Sequence, residues 1–390
     1  MQEIFSGIDK NYMISIRRRL HMYPEIGLDL PLTLKLVKSE LDSMGVKYTE
    51  KYGKSSIVAS INDELPGFTI GIRADMDALP INEMNDVEYK SRHEGKMHAC
   101  GHDAHTAILL GTVKALSKIK NKIKCRVVFL FQPLEEGMGS GAKLMVEDGV
   151  MDDIDVIVAL HVYNLLDTGK AGFMPGPVMA SNHVFSIELF GKSGHAAMPH
   201  TAVDAISMGV QIYSQVQLVL TREIDPREKY TLNVGIFQGG KACNVVADYA
   251  MLSGTVRTYS DELAEYILKR LGDITRGVVS GAGGKYNLVL KKQLPVVIND
   301  KKVTGAIMKS AEKVLGKGNT VILDKPSMGS EDFAFYLQKK PGSFFRLGTG
   351  NKSKGITSDW HSSTFDIDED ALEYGARIFV QIVMDHMDGI

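Results

Sequence analysis

Four residues in the first half of the chain carry side chains that bind transition metals. They are Cys100, His102, Glu136 and His161, and a thiolate, two imidazoles and a carboxylate suit zinc or another first-row divalent metal. His361 is a further candidate. The Cys-x-His spacing differs from the C-x-x-C pair of a structural zinc site, which favours an open, reactive centre. Any one of these residues alone predicts little, but together they predict a metal site.

Two adjacent carboxylates, Glu135 and Glu136, follow a predicted buried strand. Carboxylates at one strand end repel each other unless a cation or a proton relieves the repulsion. We therefore expect Glu136 to bind the metal and Glu135 to accept the proton of a water that the metal has acidified. A solvated glutamate pair in a loop is the alternative, and Gln132-Pro133 at the end of the strand argues against it.

Two other chemistries match parts of this region. Gly137 to Ala142 read G-M-G-S-G-A, which fits the dinucleotide-binding pattern between a strand and a helix. Because two glutamates precede the first glycine and would repel a pyrophosphate, we reject that interpretation. Cys100 could instead be a nucleophile with His102 or His105 as its base. A chelator would then leave the enzyme active, whereas a thiol reagent would inactivate it.

The candidate residues lie at the ends of predicted strands. Alternation over Phe68 to Asp77 predicts a strand that ends in acidic residues, and the apolar runs Val127 to Phe131 and Val156 to Leu160 predict buried parallel strands. A helical pattern on Leu109, Val113 and Leu116 lies between the first two strands. Strands that alternate with helices predict an α/β fold with a mostly parallel sheet and helices on both faces, whose ligands bind at the carboxyl ends of the strands.

Charged residues occur at regular spacing in the first predicted strand and in the first predicted helix. Period two in the first strand places Arg73, Asp75 and Asp77 on one face. Two helices are predicted between Met13 and Met44, and Arg17 to Arg19 are predicted to form a solvated face of the first.

After about Ser181 the pattern changes to β-α-β-β-α-β, the order of a ferredoxin-like α+β domain. We expect residues 181–294 to form an inserted domain and residues 1–180 and 295–390 to form the metal-binding catalytic domain. The first helix of the insert is predicted from the spacing of Ile206, Val210, Tyr213 and Leu220.

Amino-acid composition and net charge argue against several classes of partner and location. The 390 residues are 44% hydrophobic and 24% charged with a formal charge of -2, so neither nucleic acid nor a membrane is an expected partner. Three cysteines are too few for a disulfide framework and favour the cytoplasm. Met1 to Asp9 lack the apolar run of a signal peptide, and no apolar run of membrane-spanning length occurs.

These residues and several further motifs resemble the M20 metallopeptidase and amidohydrolase family, in particular its aminoacylase-like branch of N-acyl-amino-acid, hippurate and auxin-conjugate hydrolases. The resemblance covers essentially the whole chain. The motifs that carry it are R-R-R-L-H-M-Y-P-E-I-G at Arg17 to Gly27, R-A-D-M-D-A-L-P at Arg73 to Pro80, M-H-A-C-G-H-D-A-H at Met97 to His105, Gln132 to Gly137, G-H-A-A-M-P-H at Gly194 to His200, Gly254 to Arg257, and S-E-D-F at Ser330 to Phe333.

The resemblance implies a centre of two divalent metal ions, zinc or manganese, with nickel or cobalt as alternatives. Glu135 would be its general base and Asp75 a second catalytic acid. Other branches carry a histidine two residues before that acid, whereas Arg73 stands there in this chain, and Leu134 replaces the small residue usual before the glutamates. The implied metal ligands are Cys100, His102, Glu136, His161 and His361.

The same resemblance gives the inserted domain two roles, as a lid and as the interface of a homodimer. His195 would stabilise the oxyanion of the tetrahedral intermediate in the partner subunit's site. Arg257 would pair with a substrate carboxylate, and Asn244 would bind the same end of the substrate.

The predicted reaction is hydrolysis of an amide that joins an acyl group to the nitrogen of an amino acid. A dipeptidase or carboxypeptidase on the same scaffold is the main alternative. A cysteine-nucleophile hydrolase and a non-catalytic metal-binding protein belong to other classes.

Overall fold

The computed structural model describes residues 2–390, which contain nine α-helices and sixteen strands. The helices are α1 (Lys10–Met22), α2 (Pro31–Met44), α3 (His102–Lys118), α4 (Gly141–Glu147), α5 (Ala205–Arg222), α6 (Asp261–Ala282), α7 (Lys301–Leu315), α8 (Ala334–Leu337) and α9 (Asp370–Asp385). The strands are β1 (Tyr48–Thr49), β2 (Ile57–Ile61), β3 (Thr69–Asp75), β4 (Arg126–Gln132), β5 (Val156–Asp167), β6 (Ala171–Phe173), β7 (Gly176–Met179), β8 (Asn182–Phe190), β9 (Gly194–His195), β10 (Tyr230–Gly239), β11 (Val245–Val246), β12 (Tyr249–Thr258), β13 (Lys285–Leu294), β14 (Val297–Asn299), β15 (Thr320–Ile322) and β16 (Gly342–Gly350).

The described chain divides into two compact units. The larger unit contains the residues up to Val178 together with Ile298–Lys325 and Asp332–Ile390, and the smaller unit contains Met179–Val297 and Pro326–Glu331. The sequence patterns contain no sign that 326–331 belong with the inserted segment. The lid and dimer roles predicted for the smaller unit stay predictions.

The larger unit is built on an eight-stranded sheet in the order β1-β2-β4-β3-β5-β16-β6-β15. Strands β4, β3, β5 and β16 are parallel neighbours, and antiparallel pairs occur towards both edges. Every residue of β3 is buried, as expected for a central parallel strand. The predicted α/β class with a mostly parallel sheet is therefore confirmed.

Helices cover both faces of this sheet. Ile70 and Ile72 of β3 belong to one apolar core with α1, α2, α3, α7 and α9. The alternate residue Arg73 points to the opposite face, where its guanidinium lies 5.9 Å from the ring of Phe333, directly before α8. Tyr336 of α8 donates a hydrogen bond to Gln132 of β4 at 3.1 Å.

Two expectations for the larger unit are wrong in detail. His161 was expected just beyond a strand, but β5 continues to Asp167 because β16 pairs with it in parallel and places Arg346 opposite His161. Arg17 was expected to be solvated, but it is fully buried on the face of α1 that also carries Met13 and Leu20. That face repeats at intervals of three and four residues, so the helical period itself indicated burial.

The smaller unit has the topology β8-α5-β10-β12-α6-β13, and its antiparallel sheet has the order β10-β12-β8-β13. This is the ferredoxin-like arrangement that the sequence predicted. Phe185, Ile187 and Leu189 of β8 are buried in its core, in agreement with their alternation. A separate ribbon pairs β9 with β11.

Helix α5 has two apolar faces. Met208, Ile212 and Val216 are buried in the core of the smaller unit. Ile206, Val210 and Tyr213, whose spacing predicted the helix, are instead 38%, 49% and 43% exposed. The helix was predicted correctly, but most of the residues that indicated it form a solvent-facing stripe.

Among residues 2–390, no helix combines the length and the apolar character that crossing a membrane requires.

Candidate metal centre

The candidate ligands meet at the carboxyl ends of β3 and β4 and beside the middle of the neighbouring strand β5. Strand β3 ends at Asp75, the Glu135-Glu136 pair follows β4, and His161 lies in β5. Helix α3 begins at His102, after Gly101 has turned the chain in the left-handed region with φ 87°. A residue with a Cβ would be strained there, so glycine allows Cys100 and His102 to lie on the two sides of a tight turn.

Two groups of three potential ligands share the sulfur of Cys100. In each group the three ligand atoms lie within 4.8 Å of one another. The groups are Cys100 with His102 and His161, and Cys100 with Glu136 and His361. The structure therefore brings together all five residues predicted as ligands, with Cys100 common to both groups.

The imidazole of His102 is fully buried, and neither ring nitrogen has a hydrogen-bond partner. Its Nδ1 lies 3.6 Å from Oδ1 of Asp77, and its Nε2 lies 3.7 Å from Oδ2 of Asp75 and 3.9 Å from Oε2 of Glu135. Burial lowers the pKa of His102, but the carboxylates of Asp75, Asp77 and Glu136 outweigh it and raise the pKa to about 10. A metal cation would supply a partner for this buried imidazole and would offset the charge of the surrounding carboxylates.

Cys100 and His161 form a buried contact of the centre. The sulfur lies 3.4 Å from Nε2 of His161, while Nδ1 lies 2.8 Å from the carbonyl oxygen of Val162. Because that carbonyl can only accept, Nδ1 carries the proton and Nε2 presents its lone pair towards the sulfur. Burial, together with Glu136 and Glu135, raises the pKa of the Cys100 thiol well above its usual range. The thiolate therefore needs a cation to form.

Glu136 and His361 form the more exposed contact. Oε1 of Glu136 lies 3.1 Å from Nε2 of His361, and the two side chains are 14% and 54% exposed. His361 has a left-handed backbone with φ 61°, and its N–H donates to the carbonyl of Ala99 at 2.9 Å. That bond ties the His361 loop to the segment that carries Cys100. Burial raises the pKa of Glu136, but the close contact with His361 and the charge of His102 lower it overall.

Asp75 is fully buried, and both of its oxygens are engaged. Oδ2 accepts a hydrogen bond from Arg73 at 2.6 Å, and Oδ1 lies 2.5 Å from Nδ1 of His105. The N–H of Val162 donates to Nε2 of His105 at 3.0 Å, so Nδ1 carries the proton and donates to Asp75. Burial raises the pKa of Asp75, but Arg73, His102 and His105 hold it well below its usual range. These contacts suit a residue that orients its neighbours, and the role of second catalytic acid stays a prediction.

The same contacts argue against His105 as the base of a cysteine nucleophile. Both of its ring nitrogens are engaged, one with Asp75 and one with Val162. Burial outweighs the charge of Asp75 and lowers the pKa of His105. Burial also raises the pKa of the Cys100 thiol, so His105 is poorly suited to activate it as a nucleophile.

The loop that carries the glutamates turns at Leu134, whose φ of 49° is left-handed. For a residue with a Cβ this conformation costs about 1–2 kcal/mol. The N–H groups of Glu135 and Glu136 both donate to the carboxylate of Asp77, at 3.0 Å each. The sequence pattern predicts that Asp77 lies on the charged face of the first strand, but it does not indicate these hydrogen bonds.

The glycine-rich stretch after the glutamates leads into α4. Its N-terminus already binds a carboxylate, because Asp332 accepts hydrogen bonds from the hydroxyl of Ser140 at 2.7 Å and the N–H of Ala142 at 3.0 Å. Asp332 also pairs with Arg73 at 3.0 Å. A buried carboxylate at this position excludes a pyrophosphate, in agreement with the rejection of a dinucleotide site.

Arg17 connects two segments that carry ligands. It donates to Asp103, the neighbour of His102, at 2.8 Å, and to Asp366, in the segment after His361, at 2.6 Å. A third bond reaches Glu369 at 3.3 Å. The planar guanidinium holds several carboxylates at fixed angles, which explains its complete burial.

Three further predicted site residues lie in the smaller unit. His195 is exposed on β9, and its Nδ1 accepts the N–H of Ala197 at 3.1 Å. Asn244 is close to it along the β9–β11 ribbon, because its carbonyl accepts the N–H of Ala196 at 3.1 Å. Arg257, on β12, donates through Nη1 to the carbonyl of Met328 at 2.9 Å and to the hydroxyl of Ser330 at 3.1 Å.

The residues at the centre fit a pair of divalent cations. Sulfur, imidazole nitrogen and carboxylate oxygen are ligands that zinc and its first-row neighbours share. The unpartnered nitrogens of His102 and the shared position of Cys100 are the observations that support this fit.

Comparison with known proteins gives consistent results. The chain is 37% identical over 374 residues to thermostable carboxypeptidase 1 of Saccharolobus solfataricus, which covers 94% of this chain and 93% of that protein. It is 37% identical over 360 residues to N-acetyl-L-cysteine deacetylase of Bacillus subtilis strain 168, over 92% of this chain and 84% of the relative. The structure matches the Bacillus subtilis YXEP protein, described as a dinuclear metal binding peptidase from the M20 family, with a TM-score of 0.85 and 31% identity, over 98% of this chain and 99% of that chain.

The model of the family described as "Peptidase family M20/M25/M40" matches residues 71–385, which include every candidate ligand and most of both units. The resemblance expected from the sequence motifs is thereby confirmed, and the chain belongs to peptidase family M20/M25/M40.

Proposed function

We propose that this chain is a metal-dependent amidohydrolase that cleaves the amide of N-acyl amino acids, such as N-acetyl or N-benzoyl derivatives, to a carboxylate and a free amino acid. The observation that carries the proposal is the pair of ligand groups that share Cys100, with Glu135 beside them. Two cations, zinc or manganese with nickel or cobalt as alternatives, would have as ligands Cys100, His102, Glu136, His161 and His361.

A divalent cation in such a centre supplies Lewis acidity, which lowers the pKa of water and polarises a carbonyl. Glu135 is the proposed general base, and its Oε2 lies 3.9 Å from Nε2 of His102. It takes a proton from water as the water oxygen attacks the carbonyl carbon, and it passes that proton to the amine nitrogen as the C–N bond breaks. The water oxygen remains in the new carboxylate.

His195 is the proposed donor to the oxyanion. Its Nδ1 accepts a hydrogen bond from Ala197, so the neutral ring carries its proton on Nε2. An exposed imidazole with Nε2–H as its free donor has the polarity that a developing negative oxygen needs. Asn244, held next to it by the β9–β11 ribbon, is proposed to bind the amino-acid end of the substrate.

Arg257 is the proposed carboxylate clamp. Met328 and Ser330 hold its Nη1, which fixes the plane of the guanidinium. Nε and Nη2 lie along another edge of that plane and match the two oxygens of a carboxylate. An α-carboxylate is common to every N-acyl amino acid, so this clamp would select that class without selecting the acyl group.

A carboxypeptidase is the second candidate, and the similarity to a protein of that name favours it. The same clamp would hold the C-terminal carboxylate of a peptide, and the same base would serve the peptide bond. The two functions differ only in what lies on the acyl side of the scissile amide.

The smaller unit is proposed to form a homodimer. The stripe of Ile206, Val210 and Tyr213 on α5 lies next to β10, an edge strand on which Ile236 and Phe237 are 43% and 41% exposed. Gly209 of α5 packs directly on Phe237, so stripe and edge form one surface. A contiguous apolar patch beside an open sheet edge is a typical site of association with a second copy.

We also propose that the protein acts in the cytoplasm on small molecules, without a nucleic-acid or membrane partner. All three cysteines are free thiols, and Cys243 is exposed. A formal charge of -2 gives no field that would attract polyanions.

The reaction class is tested by reconstituting the metal-stripped protein with zinc or manganese and assaying a panel of N-acyl amino acids, dipeptides and longer peptides. We expect no activity without metal, recovery on reconstitution, and kcat/KM at least about tenfold higher for N-acyl amino acids than for peptides. Faster cleavage of peptides would favour the carboxypeptidase. Activity that survives complete chelation but not thiol alkylation would favour a cysteine nucleophile.

The role of the base is tested with Glu135→Gln, which keeps the size of the side chain and removes its ability to accept a proton. We expect kcat to fall by about 10²–10⁴-fold while the protein still binds both metal ions, as measured by elemental analysis. Glu147→Gln, at an exposed position of α4, is the control and should keep full activity. A Glu135→Gln enzyme with kcat near that of the unmodified protein contradicts the assignment.

The clamp is tested by measuring Arg257→Ala on an N-acyl amino acid and on its α-carboxamide analogue. Because a charge-assisted pair is lost only with the first substrate, we expect kcat/KM to fall about 10- to 100-fold for the acid and by less than about threefold for the amide. Arg276→Ala, on the exposed side of α6, should change neither value. Equal losses on both substrates would remove the clamp from the proposal.

The dimer is tested with Val210→Glu, which places a charge in the centre of the α5 stripe. We expect the mass in solution, measured by light scattering, to fall from that of two chains to that of one, because burying an unpaired carboxylate is unfavourable. Lys269→Glu, at an exposed position of α6, should leave the mass unchanged. A Val210→Glu protein that stays dimeric would show that another surface makes the interface.

A further inference from the structure

Asp77 contacts several residues of the proposed centre, although it is neither a proposed ligand nor a proposed base. Its side chain is buried, with 1% exposed. Oδ1 accepts the N–H of Glu135 at 3.0 Å, and Oδ2 accepts the N–H of Glu136 at 3.0 Å. One carboxylate therefore holds the backbone of both the proposed base and a proposed ligand.

The two N–H groups point in one direction because of Leu134. Its left-handed backbone, with φ 49°, turns the chain so that the next two amides face Asp77. The carbonyl of Leu134 accepts the N–H of Gly141 at 2.8 Å, which closes the loop behind the glutamates. Successive N–H groups around such a turn form a small concave site for an anion, and here the anion is a side chain of the protein itself.

Asp77 also faces a second proposed ligand. Its Oδ1 lies 3.6 Å from Nδ1 of His102, slightly beyond hydrogen-bond distance. A carboxylate next to one nitrogen of a ligating histidine favours the tautomer with a proton on that nitrogen, so that the other nitrogen can bind metal. Carboxylate oxygens of Asp75 and Glu135 lie 3.7 and 3.9 Å from Nε2.

We propose that Asp77 is a positioning residue of the metal centre, which fixes the glutamate pair and the ring of His102 relative to one another. The proposal rests on the function proposed above, and it has Asp77 act through Glu135, Glu136 and His102. A buried aspartate that only stabilised the fold would affect thermal stability and leave metal affinity unchanged. Metal affinity therefore separates the two roles.

The test compares Asp77→Asn with Asp368→Asn in the full-length protein. Asn keeps the size of Asp77 but offers only one oxygen, so one of the two glutamate amides loses its acceptor. Asp368 is a matched control, because it is 2% exposed and accepts bonds from Asn351 and Lys354 at 2.7 Å each, without a contact to any candidate ligand among the described residues. Three quantities are measured: the Kd for zinc by titration of the metal-free protein, kcat at saturating zinc, and the thermal midpoint without metal.

For Asp77→Asn we expect the Kd for zinc to rise about 10- to 100-fold and kcat at saturating zinc to fall at least about tenfold. Both variants should lower the thermal midpoint of the metal-free protein by similar amounts. Asp368→Asn should nevertheless leave Kd and kcat within about twofold of the unmodified protein. If Asp77→Asn binds zinc with unchanged Kd, or if both variants change Kd equally, the proposal is wrong.

Asp77→Glu keeps the charge and both oxygens, and it replaces the Asn variant if that variant does not fold. Its extra methylene displaces the carboxylate, so Kd should again rise about tenfold, and an unchanged Kd would overturn the proposal. The zinc titration uses no substrate. An unmodified protein that binds two zinc ions but hydrolyses no N-acyl amino acid would contradict the proposed function and leave the test of Asp77 intact.

Discussion

The centre depends on the concentration of negative charge in a place with little water. Asp75 and Asp77 are almost completely buried, and the side chains of Glu135 and Glu136 are only 9% and 14% exposed. Uncompensated carboxylates in such a setting are strongly unfavourable. Arg73 compensates part of this charge through Asp75, and the remainder makes the site attractive to small, highly charged cations.

The surrounding contacts keep this charge in place. Arg73 joins Asp75 to Asp332, and Asp332 in turn holds the start of α4 behind the glutamate loop. On the other side Arg17 joins Asp103 to Asp366, so the segments directly after His102 and after His361 share one guanidinium. Each arginine therefore fixes two chain segments that carry site residues and are distant in sequence.

The fold class, the inserted ferredoxin-like unit and the set of candidate ligands could be predicted from the sequence because each depends on local pattern or on motifs. Strand β4 and the glutamates after it are one continuous segment, as are the turn and helix that carry Cys100 and His102. The features that could not be predicted depend on hydrogen bonds and strand pairing with residues that are distant in the chain. The burial of Arg17 could be predicted from its helical face, but its acceptors could not, because they lie 86 to 352 positions away. His161 was predicted to follow a strand because β16, which extends that strand, comes after the inserted unit. Asp77 lacked a role since its hydrogen-bond donors are 58 and 59 positions further along.

The order of the chain also limits when the larger unit can be completed during synthesis. Strand β5 pairs with β16 from Ile157 opposite Gly342 onwards, and the smaller unit interrupts the chain between them. While the ribosome is still producing that insertion, β5 has one unpaired edge and the larger unit lacks part of its sheet. Long-range pairing of this kind is slow and leaves nascent chains prone to aggregation. Because His361 follows β16 in the chain, a nascent chain cannot gather the full set of proposed ligands until the segment after β16 has been synthesised.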